Sequence, residues 1–182
     1  MKNKLLILVL ALQAAWVLGT VGRQENLLRV GQVVLLETQP VDPRDPLRGD
    51  FVRLNYTISD VPVNLFAPPV KTDLPAGTRI YVALAPAGTN GFYEATRASR
   101  ERLVPATGEI VLRGQSGRSW RSAAGSIRVE YGIEQYFVAE GTGNPHGKLT
   151  AQVAVSSSGR ASLKEVFVDG TPYAEAMKPA GH

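Results

Sequence analysis

An uncharged apolar run close to the N-terminus constrains this chain more than any other feature of its sequence. The run extends from Leu5 to Val21 and carries a single amide side chain, Gln13. As a helix it would be about 26 Å long, which is at the short end of what spans the hydrocarbon core of a bilayer. Trp16 and the flanking charges are typical of residues that anchor a helix at the membrane interface. The sequence therefore predicts one membrane-spanning helix.

The charges on either side of this run predict its orientation. Lys2 and Lys4 precede it, whereas Arg23 and Glu25 follow it and nearly cancel. Because basic residues are retained on the cytoplasmic side, we expect a cytoplasmic N-terminus and export of everything after the run. The chain is thus predicted to be a single-pass protein of the cell inner membrane, with a periplasmic or otherwise extracytoplasmic domain.

A cleaved secretory signal peptide is the alternative interpretation of the same run. Cleavage requires small residues in an A-x-A-like pattern, and the best match here, Val17-Leu18-Gly19, is poor. We therefore favour an uncleaved anchor. On this interpretation residues 1–21 hold the cytoplasmic lysines and the anchor, 22–26 are a linker, 27–173 form an exported β domain and 174–182 are a C-terminal tail.

Apolar and polar residues alternate along several segments of the exported part. These segments are Val52–Ile58, Thr78–Leu84, Ile127–Phe137 and Leu149–Val155. A period of two is the pattern of a strand with one buried face. The 12 prolines spread along the chain also leave little room for long helices. The sequence predicts an all-β fold, either an antiparallel sandwich or a partly open barrel.

Four further segments complete the expected secondary structure. Val30–Leu36 is almost continuously apolar, and we expect a strand that is buried on both faces. Ser156–Gly159 and Asp169–Gly170 have the composition of tight hairpin turns. Glu94–Arg102 is the single helical candidate, and because it is polar nearly all round we expect it on the surface.

The composition excludes several kinds of functional site. The chain has no Cys and two His, which excludes a disulfide scaffold, a Cys-ligated metal and a thiol nucleophile. Once Lys2, Lys4, Arg23 and Glu25 are set aside, 17 of the 20 basic and 15 of the 16 acidic side chains remain, which is close to neutral. Nucleic-acid partners require a stronger basic surface than this. We therefore predict no metal site, no cofactor and no nucleic-acid partner.

The most densely charged segment lies directly before an alternating segment and contains the first candidate binding residues. Within nine residues it carries Asp42, Arg44, Asp45, Arg48 and Asp50. Two prolines stiffen it by fixing φ. One interpretation is a rigid loop in which the arginines make forked contacts with the acids and set the direction of the next strand. The other is a preorganised patch that grips a charged partner, or a small anionic ligand held by Arg44 and Arg48.

The same region carries a family resemblance. Gly49–Tyr56 reads GDFVRLNY and resembles the signature of the GDYXXLXY family of membrane-anchored bacterial proteins, as do the preceding Asp42–Arg48 and the later Tyr131–Gly141. The likeness extends roughly over residues 27–173. It implies a membrane-anchored envelope protein, and it implies no enzymatic activity. Family members are often encoded or fused beside multi-spanning membrane proteins, which implies a membrane partner. Phe51 stands where the family name has Tyr, so a hydroxyl has no role there.

A second group of acids suggests an alternative function. Glu130, Glu134 and Glu140 share parity on one expected strand and would project to its polar face. Together with Asp50 they supply the carboxylate pair that glycoside hydrolysis requires. However, acids on an exposed strand face are usually solvated charges, often paired with an arginine across the strand.

A basic stretch offers a possible lipid contact. It contains Arg113, Arg118, Arg121 and Arg128, with Trp120 among them. Arginines and an interfacial tryptophan suit anionic headgroups. Because four charges are spread over sixteen positions, we favour a solvated loop with the tryptophan folded onto the core.

The sequence favours a binding or scaffold module over an enzyme, because no catalytic group stands out. We expect the exported β domain to dock an integral membrane protein. The alternative is a hydrolase of envelope carbohydrate. The candidate binding residues are Asp42, Arg44, Asp45, Arg48, Asp50, Tyr56, Glu134 and Glu140.

Overall fold

A computed structural model of the chain describes residues 2–39, 51–72, 74–117, 123–138, 145 and 147–177. A long helix, α1, occupies Lys2–Val30, and a single helical turn, α2, occupies Tyr173–Ala176. The strands of the described residues are β1 (Gln32–Glu37), β2 (Phe51–Arg53), β3 (Asp60–Pro62), β4 (Arg79–Ala87), β5 (Phe92–Ser99), β6 (Ile110–Ser116), β7 (Ser126–Glu130), β8 (Gln135–Phe137), β9 (Leu149–Val155), β10 (Ala161–Val168) and β11 (Thr171–Pro172). Short 3-10 turns at Thr57–Ser59 and Val63–Leu65 flank β3.

Nine of these strands form one sheet, in the order β11-β10-β9-β1-β5-β4-β6-β7-β3, and β2 and β8 pair separately. The neighbours are antiparallel except β1 and β5, which meet in parallel at Leu35 and Phe92. The sheet curls so that β6 approaches the turn between β9 and β10. The contact that shows this is a hydrogen bond from the N–H group of Arg113 in β6 to the carbonyl oxygen of Gly159 in that turn (2.7 Å). It is not closed into a barrel. The all-β prediction is confirmed. Of the two predicted forms, the open, curled sheet is consistent with the sandwich.

Alternation predicted the core-facing side chains correctly along two strands. In β4, Ile80, Val82 and Leu84 are fully buried. In β9, the predicted face is buried through Ala151 and Val153. The hairpin turn at Ser156–Gly159 is also confirmed, since it joins the antiparallel β9 and β10.

The turn at Asp169–Gly170 is confirmed as well, and its backbone explains its composition. Asp169 has φ +47° and Gly170 has φ +84°. A two-residue turn with positive φ at both positions matches the twist of the flanking strands, and Asp-Gly tolerates that conformation. It connects β10 to β11.

The helix predicted at Glu94–Arg102 is wrong. Most of that segment lies in β5, between β1 and β4. Ala98 is fully buried, and Arg97 pairs with Glu109 across the loop that follows. Good helix formers on a strand are a case in which tertiary pairing overrides local propensity.

Two long strands predicted from alternation are also wrong as strands. Ile127–Phe137 is interrupted after Glu130, and Gly132 at φ +81° reverses the chain before β8 begins at Gln135. In Val52–Ile58 the strand ends at Arg53, Tyr56 forms only an isolated bridge, and a 3-10 turn begins at Thr57. The burial pattern survives where the strand does not, because Leu54, Tyr56 and Ile58 are all in the core.

The strand predicted over Val30–Leu36 is β1, but only one of its faces is fully covered. Val34 and Leu36 have no exposed surface, whereas Val33 remains 45% exposed. The expectation of burial on both faces is therefore wrong. Val30 itself ends α1, which continues without a break through residues 22–26, where the sequence predicted a linker.

Helix α1 is long and apolar enough to cross a membrane between Leu6 and Val30, and its apolar window is not buried against the rest of the protein. Its C-terminal end contacts the sheet. The side-chain amide of Gln24 donates to the hydroxyl of Ser162 in β10. Gly31, directly after the helix, lies so close to Leu27 and Ala154 that an added Cβ would collide there. The helix is thus packed directly on the β domain.

Candidate functional site

Both ends of the charged segment leave from the same place on the domain. Thr38, at the end of β1, forms a bridge with Tyr56. The N–H group of Gln39 donates to the carbonyl oxygen of Asn55 (2.6 Å). The candidate residues between them, Asp42, Arg44, Asp45, Arg48 and Asp50, lie outside the described residues. What the structure describes is the base, the residues that meet on either side of this segment.

Tyr56 is a core residue of that base. Its side chain is fully buried, and its hydroxyl donates to the carbonyl oxygen of Ile133 (2.8 Å). Burial in the core, with a smaller contribution from the negative charge of Glu134, raises the pKa of Tyr56 far above its usual value. The tyrosine therefore stays neutral and acts here as a buried hydrogen-bond donor.

Leu54 and Glu134 extend the same contact. The N–H group of Leu54 donates to the carbonyl oxygen of Glu134 (2.8 Å), and the leucine side chain is buried. The Glu134 carboxylate accepts hydrogen bonds from the N–H groups of Tyr131 and of Gly132, the latter at 2.9 Å. We call Leu54, Tyr56 and the Tyr131–Glu134 turn the signature clamp, because it fastens one half of the family-like signature to the other.

The hydrogen bonds of Glu134 give it a structural role in the turn, which differs from the acid–base role that a hydrolase would need. Its two oxygens face backbone amides of their own turn. Glu130 is exposed at the end of β7. Asp50 and Glu140 lie outside the described residues, so the carboxylate separation on which the hydrolase alternative depends is not on view.

A polar network beside the clamp was missed by sequence reasoning. The Asn55 amide donates to the side-chain oxygen of Gln39 (3.0 Å) and accepts a hydrogen bond from Arg128. Arg128 also forms an ion pair with Asp60 (3.0 Å), its cross-strand partner between β3 and β7. Opposite charges facing each other across two strands stabilise a sheet. The charged residues Asp60 and Arg128 could be seen in the sequence, but their pairing could be predicted only from the register of β3 and β7.

A second buried hydrogen bond connects the signature clamp to the 3-10 turn. The buried hydroxyl of Tyr131 donates to the carbonyl oxygen of Ile58 (2.8 Å), which fastens the 3-10 turn to the clamp. Desolvation of this hydroxyl raises its pKa far above the usual value, so it too remains a donor. Buried, satisfied polar groups fix a unique local geometry.

A short two-stranded ribbon borders the charged segment on its C-terminal side. Phe51 faces Phe137 in the register of β2 and β8, and Val52 faces Tyr136. Phe137 is 73% exposed, which is unusual for so large an apolar side chain. Tyr136 instead packs inward, edge-on to Tyr173 at 5.2 Å between ring centroids. The ribbon thus follows the charged segment directly in the sequence, with Phe137 on its second strand.

The described residues offer little to catalysis or metal binding. They contain no group of three or more His, Asp or Glu side chains placed to hold a metal ion. Ser116 donates to the carbonyl oxygen of Pro75 (2.6 Å) and accepts from the N–H group of Thr78, so its hydroxyl closes a loop. In the part of the chain on view, the arrangement joins the residues that flank the charged segment.

Comparison with known proteins gives one match. The model of the family described as GDYXXLXY protein matches residues 13–166, which include the second half of the apolar run, the charged segment, the signature clamp and most of β10. No curated protein and no solved structure matches the chain.

Proposed function

Since this chain belongs to the GDYXXLXY family, we propose that it is a membrane-anchored binding or scaffold module that docks an integral membrane protein. In this proposal α1 is an uncleaved single-pass anchor in the inner membrane with a cytoplasmic N-terminus. The β domain lies on the periplasmic side. The contact is made by the charged segment Asp42–Asp50 together with the ribbon of β2 and β8.

The braced base of the charged segment is the observation that carries this proposal. Gln39 and Asn55 are joined by two hydrogen bonds, backbone and side chain, and Tyr56 is locked to Ile133. The described residues on either side of a segment with five charges are therefore held together by hydrogen bonds. Preorganised presentation lowers the ordering cost of binding, which favours recognition of a partner.

The length of β1 adds a condition on the partner. Helix α1 ends just before Gln32, whereas the charged segment begins after the other end of the strand. Six residues of strand span about 20 Å. The end of β1 that precedes the charged segment is thus about that distance from the end of α1, and we expect the partner to reach it with an extramembrane loop or domain.

Affinity capture of the tagged full chain from membranes solubilised in mild detergent tests the proposal. We expect an integral membrane protein to be enriched. The double variant Arg48→Ala/Asp50→Ala should lower its recovery at least about fivefold, which corresponds to one lost charged contact. Lys164→Ala/Glu165→Ala is the matched control, because it removes the same two charges from exposed positions on β10.

Two outcomes would contradict the proposal at different points. If both double variants recover the partner equally, with unchanged thermal unfolding, the charged segment is not the contact. If no integral membrane protein is enriched over a mock purification, the docking function itself is wrong.

A further inference from the structure

A cleft of about 300 Å³ opens beside the point where α1 joins the β domain. Gln32, the first residue of β1, lines it. The loop Arg102–Pro105 and the turn Ser156–Gly159 form its other walls. The Arg102 guanidinium connects two of these walls by donating to the carbonyl oxygen of Ser157 (3.4 Å).

The contact between α1 and β10 sets the height of this cleft above the bilayer. Gln24, which bonds to Ser162, is three residues beyond the end of the apolar run at Val21. Three helical residues advance about 4.5 Å along the axis. The headgroup layer extends about 5–7 Å beyond the hydrocarbon on each side of a bilayer. When α1 spans a membrane as far as Val21, the start of β10, which directly follows the turn lining the cleft, therefore lies at headgroup level.

The charge of the cleft is positive and uncompensated. Its acidic residue, Glu109, is committed to an ion pair with Arg97 and to the N–H group of Ala106 (3.0 Å). Those bonds hold the pKa of Glu109 at about 2. Arg102 has no ion-pair partner among the described residues. A guanidinium in the same cleft as the exposed Ser157 hydroxyl is a chemistry that suits a phosphate group.

An apolar side chain stands next to this positive charge. Val104 is 81% exposed, although its backbone is held in place by a hydrogen bond from Arg97 to its carbonyl oxygen (3.3 Å). The exposed position of the Val104 side chain is therefore fixed by the hydrogen bond to its backbone. A fixed aliphatic side chain beside an arginine matches the boundary between lipid tails and headgroups.

From this geometry we propose that the cleft binds the phosphate headgroup of an anionic phospholipid in the leaflet where α1 leaves the membrane. Arg102 supplies the counter-charge, the exposed Ser157 supplies a hydroxyl donor, and Val104 contacts the upper acyl chain; the hydroxyls of Ser156 and Ser158 bond to each other within the turn. The site is separate from the docking function proposed above and needs no protein partner. Its effect is to fix how the β domain sits on the membrane.

Native mass spectrometry of the full chain released from detergent micelles tests the site. Phosphatidylglycerol, phosphatidylcholine or inorganic phosphate is added as the probe. We expect one phosphatidylglycerol to be retained per chain, with phosphatidylcholine retained about tenfold less. Arg102→Gln should reduce the retained phosphatidylglycerol about tenfold. Arg100→Gln is the matched control, because it removes the same charge from an exposed neighbour that does not line the cleft.

The outcomes separate a lipid site from its alternatives. Equal losses in Arg100→Gln and Arg102→Gln would mean diffuse surface attraction and would overturn the proposal. Displacement of the lipid by inorganic phosphate at an equal concentration would assign the cleft to a free anion. Val104→Ser should weaken the binding of phosphatidylglycerol and leave the binding of inorganic phosphate unchanged. If it changes neither, the proposed contact between Val104 and the acyl chain is wrong.

Discussion

The hydroxyl of Tyr56 joins two segments that are 77 residues apart in the sequence. This bond explains why the last residue of the signature is a tyrosine. A phenylalanine would fill the same space but would leave the Ile133 carbonyl oxygen buried without a hydrogen-bond donor. A buried acceptor without a partner costs more than the net gain of an ordinary hydrogen bond. At this scale the signature encodes a fold contact, on which the charged segment depends.

Tyr56→Phe should therefore lower the free energy of unfolding by about 1–3 kcal/mol. The measurement is denaturant unfolding of the full chain in detergent, followed by circular dichroism. Tyr93→Phe is the control, because the Tyr93 hydroxyl makes no hydrogen bond within the described residues. Equal stability of the two variants would show that the Tyr56–Ile133 bond contributes nothing.

Glu109 predicts how stability depends on acid pH. Hydrogen bonds from Arg97, and then from the N–H group of Ala106, lower its pKa to about 2. An unfolded glutamate has a pKa of about 4.3. Between these two values the unfolded chain binds more protons, so the contribution of Glu109 is complete above about pH 4.3 and is lost as the pH falls towards 2.

Glu109→Gln should accordingly flatten the fall in unfolding free energy between about pH 4.3 and 2. Denaturant unfolding at a series of pH values measures this slope. Glu101→Gln, which removes an exposed carboxylate without an ion pair among the described residues, should leave the slope as it is. A slope unchanged in Glu109→Gln would contradict the ion pair with Arg97.

Among the elements, the Tyr131–Glu134 turn decides the geometry of the signature clamp. Gly132 adopts φ +81°, and an added Cβ would meet no atom within 4 Å. The free-energy cost of replacing Gly132 by a larger residue is therefore due to backbone strain alone. A left-handed conformation costs an ordinary residue about 1–2 kcal/mol, and asparagine less.

Gly132→Ala should lower stability by about 1–2 kcal/mol, and Gly132→Asn by a smaller amount. Thermal and denaturant unfolding of both variants measure the difference. If alanine is tolerated as well as glycine, the turn does not hold a positive φ in solution, and the amide bonds to Glu134 are not made as described.

The elements also show what a sequence can predict. Alternation identified β4 and β9 because each has one face in the core, and Asp169–Gly170 could be recognised because two positive φ values restrict the residue types. Residues of β5 could not be recognised, since a strand between two neighbours needs no apolar face when Arg97 and Glu109 satisfy each other. Pairing partners distant in sequence are invisible to local periodicity.

The candidate site divides in the same way. Tyr56 and Glu134 stood out in the sequence as part of two signature-like stretches, and the structure brings both stretches into one clamp. Their roles as hydroxyl donor and amide acceptor depend on the reversal at Gly132. The Asn55–Arg128–Asp60 network depends on the register of β3 and β7, which no local pattern specifies.

At the scale of the whole molecule, α1 is packed on the β domain by the contacts of Gln24 and Gly31. Because helix and sheet meet through side chains, the orientation of the membrane helix determines the orientation of the domain. A flexible linker at residues 22–26 would have left the domain free to tumble.

The absence of cysteine from the sequence allows a direct test of this topology. Single cysteines are introduced as Asn3→Cys and Thr107→Cys, the latter at an exposed position in the loop before β6. With the outer membrane permeabilised and the inner membrane intact, a membrane-impermeant maleimide should label Thr107→Cys and leave Asn3→Cys unlabelled. After detergent is added, the maleimide should label both variants, and the two labelled chains should have the same length. The reverse labelling pattern would overturn the proposed orientation, and loss of the Asn3→Cys label from the mature chain would mean that the helix is a cleaved leader. The proposed lipid contact requires the uncleaved helix, because that helix is what holds the β domain at the membrane surface.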